Sequence, residues 1–506
     1  MPPIHHPLRR GREILMQPIV WQICFVLVLC LTLCSALPLT DALEFGSDEG
    51  YELMKALLVV RGYELYVDIW SDQPPLFTGI LSLSFMIFGE SLFVARTVAV
   101  VLTGCLLFSF MIPILKHCGI LASFASVIFL LSWPGILALS VSAMVETPTM
   151  MLGLASLVSM VIFCEGRGTK WLVTSGLLFG LALQTKLTVL LVYPSIMLYL
   201  WLGERTSCWR RSWRSALYWH LAAIAAAVLV CVFFPFQLNK SLFTSHFSDL
   251  GPEAANIRFQ MGKLHTWGGS YSFLILAVFG LLRCIHRRTS FDLAVLTLLS
   301  VTTAIHSLHT PHWYYYTLHL ALPVCWLMGF GFSAIVDYLV QAQRTGDRAQ
   351  DLVMKGCAII LCTAVLHEVG MRGAANLVAL RNTPTANNDV ILQAMNNLVR
   401  PRWIFADRVI YPFHRRLLVP PPVAVLPRKR IWSGQITTGE LIDVIESYEP
   451  EALVICSTNL LSPETLVGMP YFQPLPTLAP QLWARKDAWV MQEPITGNGT
   501  NHPSLQ

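Results

Sequence analysis

Apolar runs long enough, or nearly long enough, to cross a bilayer recur from residue 19 to residue 372, and they constrain the fold more than any other feature. A helix needs about 20 apolar residues to span the hydrocarbon layer, because each residue adds only about 1.5 Å. The runs lie near 19–38, 92–115, 119–141, 147–164, 171–185, 187–202, 216–236, 270–283, 291–308, 314–336 and 356–372, which predicts about eleven spans. Only 13% of the residues are charged, against roughly 25% in a soluble protein. The net charge of +5 is modest and nothing in its distribution points to nucleic acid. The expected fold is mainly α, a polytopic transmembrane helical bundle.

The first run follows Arg9, Arg10 and Arg12. It is long for a signal peptide and no small-x-small site closes it, so it reads as an uncleaved span. With the N-terminus placed in the cytoplasm, the cytoplasmic segments hold Lys116, Arg167, Lys170, Arg205, Arg210, Arg211, Arg214, Arg283, Arg287, Arg288, Arg344, Arg348 and Lys355 as well. The opposite loops are longer and hold fewer basic residues. Such an imbalance sets orientation in the membrane. An odd number of spans leaves residues 373–506 outside as a second domain after a membrane domain of 1–372.

The loop of 39–91 is more than a connector. Segment 47–61, SDEGYELMKALLVVR, has helical spacing, with Ser47 placed to cap it. Segment 74–89 opens with two prolines, is apolar, and is followed by Glu90, which predicts a helix lying in the membrane interface. The tail differs in kind. A strand-like RWIFAD (402–407), a Pro-rich stretch with VAVL (423–426), a helix-like GELIDVIESYE (439–449) and a strand-like ALVICS (452–457) predict a small α/β domain. It has no Gly-rich phosphate loop. Of the thirteen cysteines only Cys456 falls in the tail, so no structural disulfide is expected there.

Asp48, Glu52 and Lys55 stand at i, i+4 and i+7 and share one helical face. Glu49 accompanies them, and Asp68 and Asp72 follow in the same loop, the latter running into Gln73-Pro74-Pro75-Leu76. Solvated loop charges are the plain alternative. Glu146, in AMVETPTMM, sits beside apolar residues, where an acid needs water or a partner; it also suits a helix N-terminus. Lys186, in GLALQTKLTVLL, is a natural partner for a lipid phosphate, or a lysine snorkelling to the interface. His265, in KLHTWGG, and the cluster His306, His309 and His312 fall on the same side. Asp72 and His265 can share a divalent metal ion, although interfacial anchoring explains the histidines and their aromatic neighbours equally simply. All these candidates lie on one face of the membrane.

The stretch Asp48-Glu49-Gly50-Tyr51, Asp72-Gln73-Pro74-Pro75-Leu76, Phe88-Gly89-Glu90 and Ala95-Arg96 resembles the GT-C superfamily of membrane glycosyltransferases. It looks most like the lipid A aminoarabinose transferases, the protein O-mannosyltransferases and the sugar transferases that modify lipopolysaccharide cores. Glu146, the run from Gly180 to Lys186, and His312 to Pro323 resemble later family segments. The resemblance covers about residues 19–340. It implies an inverting glycosyltransferase of the bacterial inner membrane that draws on a polyprenyl-phosphate sugar and serves a lipid, glycan or protein acceptor. Asp48 would be the base, Glu146 the second family acid, and Arg96, Lys186 and Lys55 the groups nearest the donor phosphate. The chain departs from the aminoarabinose enzymes in having Asp72-Gln73 where an acid–lysine pair stands, while Asp72 keeps the acid that pairs there with a histidine on a metal. A transporter or flippase of a lipid-linked substrate is the competing function, and a membrane-anchored interaction protein a third.

Overall fold

Each apolar run becomes helix in the structure, a computed structural model that describes residues 7–203, 209–234, 271–345, 348–399, 401–457, 461, 463–469, 471–475 and 481–488. The first four helices are α1 (Pro7–Ala36), α2 (Glu49–Val60), α3 (Leu76–Phe88) and α4 (Leu92–Ser132). Among the described residues seven helices are long and apolar enough to cross a membrane, with shorter apolar helices at Leu76–Phe88, Thr169–Leu183 and Leu187–Gly203. The chain is an integral membrane protein.

Part of the difference from about eleven spans lies in the shorter helices Thr169–Leu183, Leu187–Gly203 and Tyr271–Arg287, and the rest in α4. Its 41 residues would reach about 60 Å as one rod, twice the hydrocarbon thickness. Gly119, at φ 85° and ψ 177°, breaks it into two passes, as the separate runs at 92–115 and 119–141 predict. The chain reverses there: Ser123 Oγ donates to Met111 O at 3.2 Å, whereas twelve residues of straight helix would part them by about 18 Å. Gln22 of α1 locks the reversal by donating to both Met111 O and Ser123 Oγ. Farther along, helices Tyr271–Arg287 and Thr317–Thr345 cross at Gly280, where a Cβ would lie 1.8 Å from Leu327 O. Close approach at small residues is the usual way helices pack in lipid.

Two cores result. One fills the helical bundle, with Trp326 stacked on Phe110 at 5.3 Å and 6°. The other joins the first loop to the tail. Phe77, Leu81 and Phe85 recur at i, i+4 and i+8 along α3 and turn one face inward. They meet Leu53 and Leu57 of α2 and Ile404, Phe405, Ile410 and Phe413 of the tail. Each such burial is worth roughly 1.5–3 kcal/mol. The opposite face of α3 leaves Leu83, Met86, Ile87 and Phe88 exposed, an apolar patch of the kind that suits a membrane interface.

The tail carries a four-stranded sheet of order β1-β2-β4-β3, with β1 Ile404–Ala406, β2 Ala452–Val454, β3 Phe472–Pro474 and β4 Leu482–Arg485. The β1–β2 pair is parallel and the other pairs are antiparallel. The helix between β1 and β2, Thr438–Tyr448, starts from a Thr437–Glu440 capping box. The two strands and the helix that alternation predicts are therefore present. Gly50 of α2 lets the tail sit down: a Cβ there would lie 3.0 Å from Ile410 N.

The loop is pinned to the bundle by Glu49 and Arg96, both 0% exposed. Arg96 Nε and Nη2 donate to the two Glu49 oxygens at 3.0 and 2.8 Å, and Nη1 donates to Leu39 O and Ala42 O. Glu49 also accepts from Phe45 N and Ala143 N. Every partner is protein. Replacing one member alone leaves a buried charge without its counterion, so Arg96→Met or Glu49→Gln should cost about 3–5 kcal/mol, read as a large drop in the thermal midpoint of the detergent-purified protein. Replacing both with apolar residues of similar volume should recover much of the loss.

Candidate functional site

A cavity of about 350 Å³ lies where α2, the Lys186 turn, the aromatic segment 313–315 and tail residues 425–429 meet. Asp48 stands at the head of α2 with φ −98° and ψ −3°, making no side-chain cap bond. Its carboxylate thus points away from the helix it precedes. Ser47 Oγ donates to Asp48 Oδ1 at 3.4 Å, and the buried Tyr315 lines the same cavity. Tyr314 Oη accepts from Ser47 N at 3.3 Å and fixes the turn ahead of Asp48.

Three ion pairs surround this carboxylate. Lys55 Nζ meets Glu52 Oε1 at 2.8 Å along the same helix face. Lys186 pairs with Glu146, and its ammonium lies 4.7 Å from the Tyr315 ring centroid and 5.6 Å from that of Tyr316. Such aromatic faces stabilise a desolvated cation. Lys429 of the tail pairs with Asp72. Burial pulls Lys429 down to about 8, with the Asp48 carboxylate opposing that pull. Among the described residues Asp48 has no ion pair.

Local sequence explains how these groups are aimed. The Pro-Pro start of α3 leaves Leu76 N to donate to Gln184 O at 2.8 Å, so the loop is stitched beside the Lys186 turn. Lys186 itself is extended, at φ −161° and ψ 139°, between two helical segments, and its side chain turns inward. Tyr51 Oη donates to Leu426 O at 2.9 Å, which holds the tail over α2. Arg408 meets Glu44 at 2.5 Å in a second strap; burial pushes Glu44 up to about 7, and the guanidinium works against it. Trp313 and Trp432 stack at 6.3 Å and 9°, joining the aromatic segment to the tail.

Of the residues singled out in the sequence, the cavity wall unites Asp48, Lys55, Asp72 and Lys186. Glu146 lies behind Lys186, fully buried. Glu49 and Arg96 do not line the cavity; they form the pin described above. Arg96 was expected near a donor phosphate, but its donors are already committed to Glu49 and two carbonyls. His265 lies outside the described residues. Asp72, its expected metal partner, is paired with Lys429, and among the described residues there is no group of three His, Cys, Asp or Glu side chains that could hold a metal ion. His306 bonds His319 at 3.1 Å and stacks on Tyr316, forming a wall behind the aromatic segment. Sequence reasoning missed Arg428 and Lys429. The signal was present as three consecutive basic residues, Arg428-Lys429-Arg430, just after the Pro-rich stretch.

Residues 72–234 match the family model described as dolichyl-phosphate-mannose-protein mannosyltransferase. No curated protein matches the chain. Among solved structures, ArnT from Cupriavidus metallidurans bound to undecaprenyl phosphate is similar at TM-score 0.59 and 14% identity, over 92% of this chain and 97% of that one. The Archaeoglobus fulgidus oligosaccharyltransferase in its apo form is similar at TM-score 0.56 and 10% identity, over 86% of this chain and 69% of that one. The archaeal oligosaccharyltransferase AglB from Archaeoglobus fulgidus, in complex with an inhibitory peptide and a dolichol-phosphate, gives TM-score 0.53 at 10% identity, over 86% of this chain and 69% of that one. The GT-C resemblance read from the first loop thus holds for the fold.

The Lys186–Glu146 pair is testable without any substrate. Lys186→Met and Glu146→Gln should each lower the thermal midpoint markedly, while the double variant loses less than the sum. A coupling of about 1 kcal/mol or more in that cycle is expected; additive losses would mean the two groups do not interact.

Proposed function

We propose that this chain is an inverting glycosyltransferase that moves a sugar from a polyprenyl-phosphate carrier to an acceptor hydroxyl, with Asp48 as the base. One observation carries the reading: among the described acids that line the cavity, Glu52 and Asp72 are each paired with a lysine and Asp48 alone has no counterion. A base must be free to take a proton, and must sit within hydrogen-bond reach of it. The family model, and the likeness to structures that hold undecaprenyl phosphate or dolichol-phosphate, support a carrier of this type.

The chemistry then follows in one displacement. The Asp48 carboxylate takes the proton of the acceptor hydroxyl. The acceptor oxygen forms a bond to the anomeric carbon from the face opposite the phosphate. The anomeric C–O bond to phosphate breaks, and its electron pair leaves with the polyprenyl phosphate. Lys186 and Lys55 stand where that negative charge gathers. Tyr315 shares the cavity wall with Asp48. In the orientation that the basic loops favour, the N-terminus is cytoplasmic, and the cavity and tail face the outer side of a bacterial inner membrane. The acceptor is an envelope lipid, glycan or protein carrying a free hydroxyl.

Asp48→Asn is nearly isosteric and keeps the hydrogen-bonding shape while removing the base. It should lower sugar transfer at least about a hundredfold, measured as labelled sugar leaving a polyprenyl-phosphate donor in membranes. Expression, thermal midpoint and binding of undecaprenyl phosphate should stay near wild type. Normal transfer by this variant would remove Asp48 from the role.

A further inference from the structure

The cavity wall contains four cations, and three of them are already neutralised: Lys55 by Glu52, Lys186 by Glu146 and Lys429 by Asp72. The fourth is Arg428. It lines the cavity, is exposed, and has no ion pair among the described residues. Its position is set by its neighbours on both sides. Leu426 O accepts from Tyr51 Oη at 2.9 Å. Arg430 Nη1 donates to Pro422 O and Val425 O at 2.9 and 2.8 Å, and its guanidinium lies 4.5 Å from the Trp70 ring centroid. A tethered segment therefore presents one uncommitted guanidinium over a cavity whose one uncommitted acid is Asp48.

We infer that Arg428 of the tail is the ligand for the leaving phosphate of the carrier, so that the tail completes the transfer site. This rests on the function proposed above. In the donor the phosphate is a diester with a single negative charge. When the anomeric C–O bond breaks, the electron pair stays on that oxygen and the phosphate becomes a monoester, approaching two negative charges. The extra charge appears only as the reaction proceeds. A cation already held by a carboxylate answers it by giving up that partner, whereas Arg428 gives up only water. A guanidinium also matches a phosphate with two parallel N–H donors, which an ammonium does not. The unpaired base and the unpaired cation thus serve the two ends of one displacement: the proton that leaves the acceptor and the charge that gathers on the carrier.

The test uses the full-length protein in detergent and two probes, undecaprenyl phosphate and undecaprenol, with binding followed by ligand-dependent thermal stabilisation. Arg428→Gln should bind undecaprenyl phosphate roughly tenfold more weakly, a loss of about 1.4 kcal/mol, and with a shallower dependence on salt. Undecaprenol binding and the lipid-free thermal midpoint should match wild type. Arg428→Lys should recover part of the loss, since charge is restored without the paired donors. Equal phosphate affinity in wild type and Arg428→Gln overturns the inference and leaves the proposed function standing. So does an equal loss for undecaprenol, which would place Arg428 in packing rather than at the phosphate. Failure of the wild-type protein to bind undecaprenyl phosphate overturns the proposed function itself, and this inference with it.

Discussion

The Glu49–Arg96 pair is the constraint on which the rest of the site depends. A guanidinium and a carboxylate at 0% exposure are costly to bury and are kept only where geometry and further hydrogen bonds are nearly complete. Here they are. The two residues together engage each other, the carbonyls of Leu39 and Ala42, and the amides of Phe45 and Ala143. Those partners belong to the end of the first loop segment, to α2, to α4 and to the turn before Glu146. One pair therefore sets where the head of α2 lies relative to three other segments. Asp48, one residue earlier, inherits that position. Neighbours in a helix point about 100° apart, so when Glu49 turns into the protein Asp48 is turned toward the cavity. Two adjacent acids with the same chemistry have opposite surroundings because of this rotation.

Much of the architecture was legible in the sequence because its causes are local. Apolar length predicts the spans, the separate runs at 92–115 and 119–141 predict two passes where α4 turns back at Gly119, and the alternation after residue 400 predicts the strands and the Thr438–Tyr448 helix. The shared face of Asp48, Glu52 and Lys55 also follows from helical periodicity, and all three reach the cavity. What was not legible depends on contacts between distant segments. Nothing near Arg96 announces that its partner is 47 residues upstream, and a charged pair of that kind has no periodic signature. The same holds for Lys429, which reaches back to Asp72. The sequence also suggested a tail built as a separate domain; it cannot reveal that Ile410 and Phe413 complete a core with Phe77, Leu81 and Phe85.

The charge arrangement in the cavity has a consequence for how an anion enters. Lys55, Lys186 and Lys429 are each within reach of an acid on a neighbouring turn or segment. In a low-dielectric wall this keeps the empty site near neutrality and avoids the cost of isolated cations. At these three lysines an arriving phosphate competes with carboxylates instead of meeting bare charge, so their net contribution is the difference between two similar interactions. Such a balance favours a carrier that must also leave after transfer. Charge that appears only during the reaction is stabilised by groups not yet engaged, and those raise the rate rather than tighten the resting complex.

The tail closes this argument because it is not a free appendage. Its hydrophobic residues share a core with α2 and α3, Tyr51 and Glu44 strap it to the first loop, and Trp432 stacks on Trp313. If it lifted away, Phe77, Leu81 and Phe85 would lose their cover, at roughly 1.5–3 kcal/mol for each fully exposed side chain. The segment that supplies Arg428 and Lys429 is therefore held by the same burial that orders the loop bearing Asp48. Two parts of the chain some 380 residues apart in sequence are packed into one wall, and the position of the base and the position of the cations opposite it are set together.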